Sequence, residues 1–412
     1  MTRFNAIKGF RDIQPDEVFL WRHLEEVARE IARRYDFKEL RPPIAEKTEI
    51  FARGLGQSTD IVEKEMYTFV DKGEERITLR PEATAGMLRA VLEHNLAEGG
   101  RATRLFCLGP MFRYERPQKG RLRQFNQLDV EIYGEKGPGV DAELIFWLVD
   151  FLQALELGDL TVSLNSLGCS ECRPIFRAEL LAFLRGREDK LCLDCRRRLI
   201  LNPLRIIDCK NEDCHAMVAE APRTLDYLCS ACAEHFETLK QLLTANGLDF
   251  KINSFLVRGL DYYIRTAFEV LTGKLGAQSA VAGGGRYDGL AQELGGGDLP
   301  AVGFAAGLER LAMLLKDRPL VLEPGPDYYL AVLCVEATVP AFRLAAYLRG
   351  QGRCVAADWE PGSLKSRLKR ADRAGAARLI MLGADEIATR RATVRDLVTH
   401  EQRALDLAPY LT

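Results

Sequence analysis

Two apolar runs separated by a short polar loop place the strongest constraint on how this chain can fold. RATRLFCLGPMFRYE and RLRQFNQLDVEIYG flank RPQKG, a loop rich in charge, proline and glycine, so the pair reads as a long antiparallel hairpin. Along the second run the side chains alternate. Leu128, Val130 and Ile132 fall on one face, while Gln127, Asp129 and Glu131 share the other with Phe125 and Tyr133. One face belongs to a core and the other carries hydrogen-bond acceptors. A solvated outer face gives the same alternation, so the acceptors gain meaning only from the rest of the chain.

At 412 residues the chain exceeds one ordinary core and is expected to form two or three domains. Charged residues make up 28% with a formal net charge of −2, so any nucleic-acid partner must be held by a local patch. The N-terminal MTRFNAIKGFRDIQPDE has no apolar signal-peptide core, and no later stretch is a charge-free run long enough to cross a bilayer. These features predict a soluble, cytoplasmic protein with no membrane partner.

LWRHLEEVAREIARRY places Leu24, Val27 and Ile31 at helical spacing, and Pro42 and Pro43 then force an extended piece. SFLVRGLDYYIRTAFEV reads as a strand interrupted in its middle by Arg258, Asp261, Tyr262 and Tyr263. A plain ion pair and amphipathic core tyrosines would account for that interruption equally well. Gly283-Gly284-Gly285-Arg286 reads as a glycine-rich loop that fits neither the dinucleotide nor the Walker pattern. AVGFAAGLERLAMLLK then predicts a short strand followed by a helix with Leu308, Leu311 and Leu315 on one stripe. Arg310 falls in that helix's first turn, where free backbone N–H groups and a guanidinium can meet an anion. Arg113, Arg116, Arg121 and Arg123 around the hairpin loop are further cations suited to one polyphosphate, because the planar guanidinium grips phosphate in bidentate fashion.

Eight of the eleven cysteines sit between Cys169 and Cys232, with C-x2-C pairs at 169/172, 192/195 and 229/232. The pairs at 192/195 and 229/232, with Cys209 and Cys214 between them, are compatible with a four-thiolate zinc site. Reduced free thiols are the preferred reading, and no metal ligand is assigned. EPGPD, residues 323–327, is the candidate linker. Beyond it, YYLAVLCV, RCVAAD and ARLIMLG alternate with helical stretches, which predicts a small α/β domain with a largely parallel sheet.

Taken together and in order, these motifs resemble the histidyl-tRNA synthetase family of class II aminoacyl-tRNA synthetases over nearly the whole chain. The resemblance rests on KGFRDIQPDE, RPPIAEKTEIF (motif 1), TLRPEATA, FRYERPQKGRLRQFNQLDVE (motif 2), VRGLDYY, AGGGRYDGL and AVGFAAGLERL (motif 3). It implies an α+β catalytic domain with an antiparallel sheet flanked by helices, in parts 1–163 and 249–322. A small Cys-rich domain (164–248) is inserted between them, and an α/β anticodon-binding domain (327–412) follows. It also implies a homodimer joined through motif 1, and ATP, L-histidine and histidine tRNA as substrates, with Mg²⁺ accompanying ATP.

The same resemblance implies roles for individual residues. Glu82, Ala83, Thr84 and Gln127 would hold the amino and carboxylate ends of histidine, while Glu131, Tyr262 and Tyr263 would bracket its imidazole. Discrimination by such hydrogen bonds can reach ~10⁴-fold or more. Arg113, Glu115, Arg121 and Arg310 would contact ATP, and Arg258, with Arg113, would act on the reacting phosphate. Arg116 and Gln118 would approach the tRNA. Asp129 departs from the pattern, since a small residue is expected there in some relatives. The main rival is a non-enzymatic paralogue, the regulatory subunit of the ATP phosphoribosyltransferase of histidine biosynthesis. The phosphate arginines and the domain after Pro326 argue against it. From Ser363 to Arg395, nine Lys or Arg face three Asp or Glu, an excess that suits a phosphate backbone.

Overall fold

The computed structural model describes residues 4–56, 59–97, 102–118, 120–209, 211–275, 280–316 and 325–411. The chain divides into two compact units, residues 1–318 and 319–412. Of the candidate linker EPGPD, residues 323 and 324 lie outside the described residues.

In the first unit the strands are β1 (Lys38–Glu39), β2 (Ala45–Lys47), β3 (Tyr67–Val70), β4 (Arg76–Leu79), β5 (Thr103–Phe112), β6 (Gln124–Tyr133), β7 (Leu160–Ser166), β8 (Phe250–Ile252), β9 (Ile264–Thr272), β10 (Ala280–Arg286) and β11 (Ala301–Gly307). Eight of them form one sheet in the order β1-β5-β6-β11-β10-β9-β7-β8. Its centre is antiparallel throughout, and only the outer pairs β1/β5 and β7/β8 are parallel. The expected hairpin is β5–β6. Leu128, Val130 and Ile132 pack on one face, as the alternation requires. Gln127, Asp129 and Glu131 on the other face are also buried, which removes the reading of that face as a merely solvated surface.

The apolar face is closed by the helix Pro138–Ala154, whose Trp147 packs against Phe304 of β11, which in turn meets Phe268 of β9 edge-on. The helix Val18–Arg34 buries Leu20, Leu24, Ala28 and Ile31, the stripe expected from its spacing, although Val27 is only half-buried.

Three expectations about the strands and boundaries of this unit need correction. Arg258 to Tyr263 does not interrupt a strand: β9 begins only at Ile264, and the residues before it form turns and loop. Gly283-Gly284-Gly285 is not a loop but the middle of β10, hydrogen-bonded on both sides. A Cβ on Gly284 would strike Phe304 and the Gly303 carbonyl, and one on Gly285 the Thr266 carbonyl, so these glycines permit close strand packing. The boundary expected at residue 164 falls inside β7, a full member of the main sheet. The cysteine-rich segment therefore leaves after Ser166 and returns through the helix Ser230–Ala245 to β8, which pairs in parallel with β7. Its own core contains Phe176, Leu180, Leu184, Ile206 and Val218.

In the second unit β12 (Tyr328–Val332), β13 (Val355–Asp358), β14 (Arg378–Leu382), β15 (Arg391–Asp396) and β16 (Gln402–Asp406) form a sheet in the order β13-β12-β14-β15-β16. Parallel pairing holds for β13-β12-β14, as alternation with helices predicts. β15 and β16 add an antiparallel hairpin at one edge, so the sheet is mixed and not largely parallel.

Candidate active site

The acceptor-bearing face of β6 becomes the floor of a cleft because β11 beside it carries only alanine and glycine there. Residues directly opposite in neighbouring strands share a face. Asp129 stands between Cys107 and Ala305, and that row continues through Gly283 to Glu269. Glu131 stands opposite Gly303, and Gln127 opposite Gly307. A Cβ on Gly303 would overlap the Glu131 carboxylate, and one on Gly283 would overlap the Arg258 guanidinium. The glycines thus make the room that the charged side chains fill.

Above this floor lies a cleft of about 360 Å³, large enough for a small metabolite with several polar contacts. Glu82, Thr84, Arg113, Glu115, Arg121, Gln127, Arg258, Tyr262, Tyr263 and Arg310 all line it. Sequence positions from 82 to 310 are thereby brought together in one place. Ala83 and Glu131 do not line the cleft, and Arg116 and Gln118 are exposed on the hairpin loop outside it.

The cations gather at one side. Arg113 Nε donates to the Pro81 carbonyl at 2.8 Å while its guanidinium lies over Phe125. Arg121 pairs with Glu115 at 2.7 Å, and Arg310 donates to the Ala280 carbonyl. Burial, then repulsion from Arg121, depresses the Arg310 pKa. Arg258 Nη1 donates to Glu269 Oε1 at 2.9 Å, with its guanidinium 5.4 Å from the Tyr263 ring centroid. Burial disfavours its charge, but Tyr263 and Glu269 outweigh that and hold Arg258 charged. Such a group of guanidiniums is fitted to the oxygens of a polyphosphate.

Acceptors and phenols occupy the other side. Glu82 accepts from the backbone N–H groups of Thr84 (3.0 Å) and Ala85 (2.9 Å), which caps the helix Thr84–Glu93 and fixes the carboxylate. Just beneath, Glu131 accepts from Thr84 Oγ1 at 2.7 Å and from the Tyr287 hydroxyl. Burial pushes the Glu131 pKa well up, although both of these hydrogen bonds oppose the shift. Tyr262, Tyr263 and Tyr287 pack ring against ring, with centroids 4.5 Å apart for the adjacent pair. Asp129 lines the cleft with both carboxylate oxygens buried and unpartnered among the described residues. Desolvation, then repulsion from Glu82, raises its pKa to about 8.

Two participants escaped the sequence reading. Tyr287 was part of AGGGRYDGL but received no role, and Glu269 is visible only through strand pairing, which sets it beside Gly283. The cysteine-rich segment also reaches the cleft. Arg205 lines it and donates to the Gly259 carbonyl at 2.9 Å, and Asn202 Nδ2 donates to Asp261 Oδ1 at 2.6 Å. The cysteines themselves group differently from the expectation: Cys229 and Cys232 join Cys169 and Cys172, while Cys192 and Cys195 join Cys209 and Cys214. Spacing along the chain could not choose between these groupings, because Cys169 and Cys229 meet only through the return of the segment to β8.

Comparison with known proteins identifies the family. Residues 9–172 and 209–311 match the family described as "Histidyl-tRNA synthetase", and residues 330–410 match "Anticodon binding domain". The fold is that of a class II aminoacyl-tRNA synthetase with an anticodon-binding domain after the catalytic sheet. The crystal structure of apo S. aureus histidyl-tRNA synthetase superimposes with a TM-score of 0.82 at 31% identity, covering 100% of each chain. The histidine–tRNA ligase of Geobacter metallireducens is 49% identical over 98% of this chain and 97% of its own length. That of Halothermothrix orenii is 47% identical over 98% and 97%. The chain belongs to the histidyl-tRNA synthetase family. Among the described residues no helix is long and apolar enough to cross a membrane.

Proposed function

We infer that this protein is a histidine–tRNA ligase, which activates L-histidine with ATP and transfers it to the 3′ end of its tRNA. The observation that carries this reading is one cleft joining a floor of acceptors to a wall of guanidiniums: Glu82, Gln127 and Tyr263 on one side, Arg113, Arg258 and Arg310 on the other. The identity to histidine–tRNA ligases over almost the full chain supports it.

In the first step the histidine carboxylate attacks the α-phosphorus of ATP, and the bond to the β-phosphate oxygen breaks to release pyrophosphate. Arg258 stabilises charge developing on the α-phosphate, and Arg113 and Arg310 hold the phosphates, so catalysis is mainly positioning and electrostatics. Glu82, Thr84 and Gln127 receive the amino and carboxylate ends of histidine. Glu131 acts from beneath the cleft through Thr84 and Tyr287, with Tyr262 and Tyr263 lining the imidazole pocket. In the second step a hydroxyl of the terminal adenosine attacks the mixed anhydride and AMP leaves.

Glu115 and Glu269, beside the arginines, are hard oxygen donors that fit Mg²⁺ arriving with ATP, which would neutralise phosphate charge. Arg116 and Gln118 are exposed where an acceptor stem could approach, on a turn closed by reciprocal Gln118–Arg121 backbone hydrogen bonds. Homodimer formation through motif 1 and a cytoplasmic location rest on family membership. Against the regulatory-subunit rival stand the complete arginine set and the anticodon-binding domain. The test is charging of histidine tRNA with each of several amino acids. Histidine alone should be transferred, and charging with another amino acid, or none at all, would refute the reading.

A further inference from the structure

All eleven cysteines are free thiols, yet eight of them converge in two sets of four whose sulfurs all lie within 4.8 Å of one another. Such convergence is far denser than the packing of a core requires. Sulfur–sulfur separations within the two sets include 3.7 Å for Cys169–Cys172, 3.8 Å for Cys169–Cys229 and 3.9 Å for Cys192–Cys209. A disulfide needs about 2.05 Å. A tetrahedron with Zn–S bonds of about 2.3 Å has S···S edges of about 3.8 Å. The backbone points the same way, because Cys229 N–H donates to Cys172 Sγ at 3.1 Å and Cys192 N–H to Cys214 Sγ at 3.2 Å. N–H donors of this kind orient thiolates and offset their charge.

We propose that the cysteine-rich segment holds two structural zinc ions, one bound by Cys169, Cys172, Cys229 and Cys232, the other by Cys192, Cys195, Cys209 and Cys214. Four thiolates close each tetrahedron, so neither ion keeps an open position for substrate. Their work is to pin chain segments that share only a small apolar core. The first site joins the residues just after β7 to the start of the helix Ser230–Ala245. The second ties three short pieces whose helices, Leu193–Leu201 and Glu212–Val218, are too brief to be stable alone.

Both sites border the cleft loop. Arg173, the residue after Cys172, donates to the Tyr263 carbonyl. Asn202 and Arg205, between Cys195 and Cys209, hold Asp261 and Gly259. Zinc therefore fixes the loop that carries Arg258, Tyr262 and Tyr263, and its removal should loosen histidine binding.

The experiment is elemental analysis of the full chain, purified anaerobically without chelator, followed by cobalt(II) titration of the metal-stripped protein. About two zinc ions per chain are expected. Cobalt should produce the thiolate charge-transfer band and the intense d–d bands of a tetrahedral tetrathiolate, saturating at about two equivalents. Cys232→Ala and Cys195→Ala should each remove one ion, while Cys354→Ser, outside both sets, should remove none. Stripping should raise the KM for histidine several-fold, reversed by zinc. Because cobalt titration uses the unmutated chain, misfolding of a variant does not rescue the proposal. Saturation at one equivalent, absence of the tetrathiolate spectrum, or disulfides within either set in the anaerobic protein would overturn it.

Discussion

Arg258 Nη1 meets Glu269 Oε1 at 2.9 Å by passing over Gly283, the residue paired with Glu269 on the neighbouring strand. A cation on a loop is thereby aimed by a carboxylate on the sheet, through space that only glycine leaves open. Arg258→Ala should lower the rate of adenylate formation on the order of 10²-fold or more while histidine still binds, because the lost charge acts chiefly in the transition state. Gly283→Ala should cause a loss in the same direction, since its Cβ displaces the guanidinium. Stopped-flow adenylate formation beside equilibrium dialysis of histidine separates the two effects. A normal rate in Arg258→Ala would remove Arg258 from catalysis.

Glu131→Gln should weaken histidine far more than ATP. The amide keeps the size but puts an N–H donor where an oxygen accepts, and so disturbs the hydrogen bonds from Thr84 and Tyr287 that shape the amino-acid side of the cleft. Separate titrations with histidine and with ATP provide the comparison. An equal fall in both affinities would make Glu131 a framework residue.

Asp129 carries a pH signature. Its folded pKa, raised to about 8 from the ordinary aspartate value of 3.8, means that the native state holds a proton that the unfolded chain has already lost. Stability arising from this group therefore falls as pH rises through that window, the slope being negative wherever the native state binds more protons. Asp129→Asn removes the dependence, so the variant should gain stability relative to the unmutated protein between pH 5 and pH 8. Urea denaturation at both pH values measures it. A constant difference would show that Asp129 titrates normally.

What the sequence made legible followed from local rules. Period 2 gave both faces of β6, and the stripe from Leu308 to Leu315 gave the helix that presents Arg310. What it concealed depended on partners far along the chain. The three glycines of β10 resemble a loop until Gly303, Phe304 and Arg258 are seen pressed against them. Apolar residues flank Arg258 and the tyrosines as they would in a strand, but Leu256 and Val257 are buried and half-buried within a loop. The cysteine groupings likewise required the topology, since the first set closes a segment that leaves β7 and returns to β8.

In the second unit the basic excess is smaller than the count of residues suggests. Arg367 and Arg370 are bound to Asp358, and Arg378 to Asp396, whereas Lys365, Lys369 and Arg373 are exposed on the helix Leu364–Arg373. Replacing those three with alanine should weaken tRNA binding about uniformly and reduce its salt dependence by roughly one unit of log–log slope per lost phosphate contact. Adenylate formation should be unchanged. Filter binding across a salt series checks this, and an unaltered slope would place the tRNA backbone elsewhere.

The most direct test of the central claim is ATP–pyrophosphate exchange with and without histidine, in the unmutated protein and in Arg258→Ala. Exchange should depend on histidine, should not be supported by other amino acids, and should fall on the order of 10²-fold or more in the variant. Absence of histidine-dependent exchange in the folded, unmutated protein would contradict it.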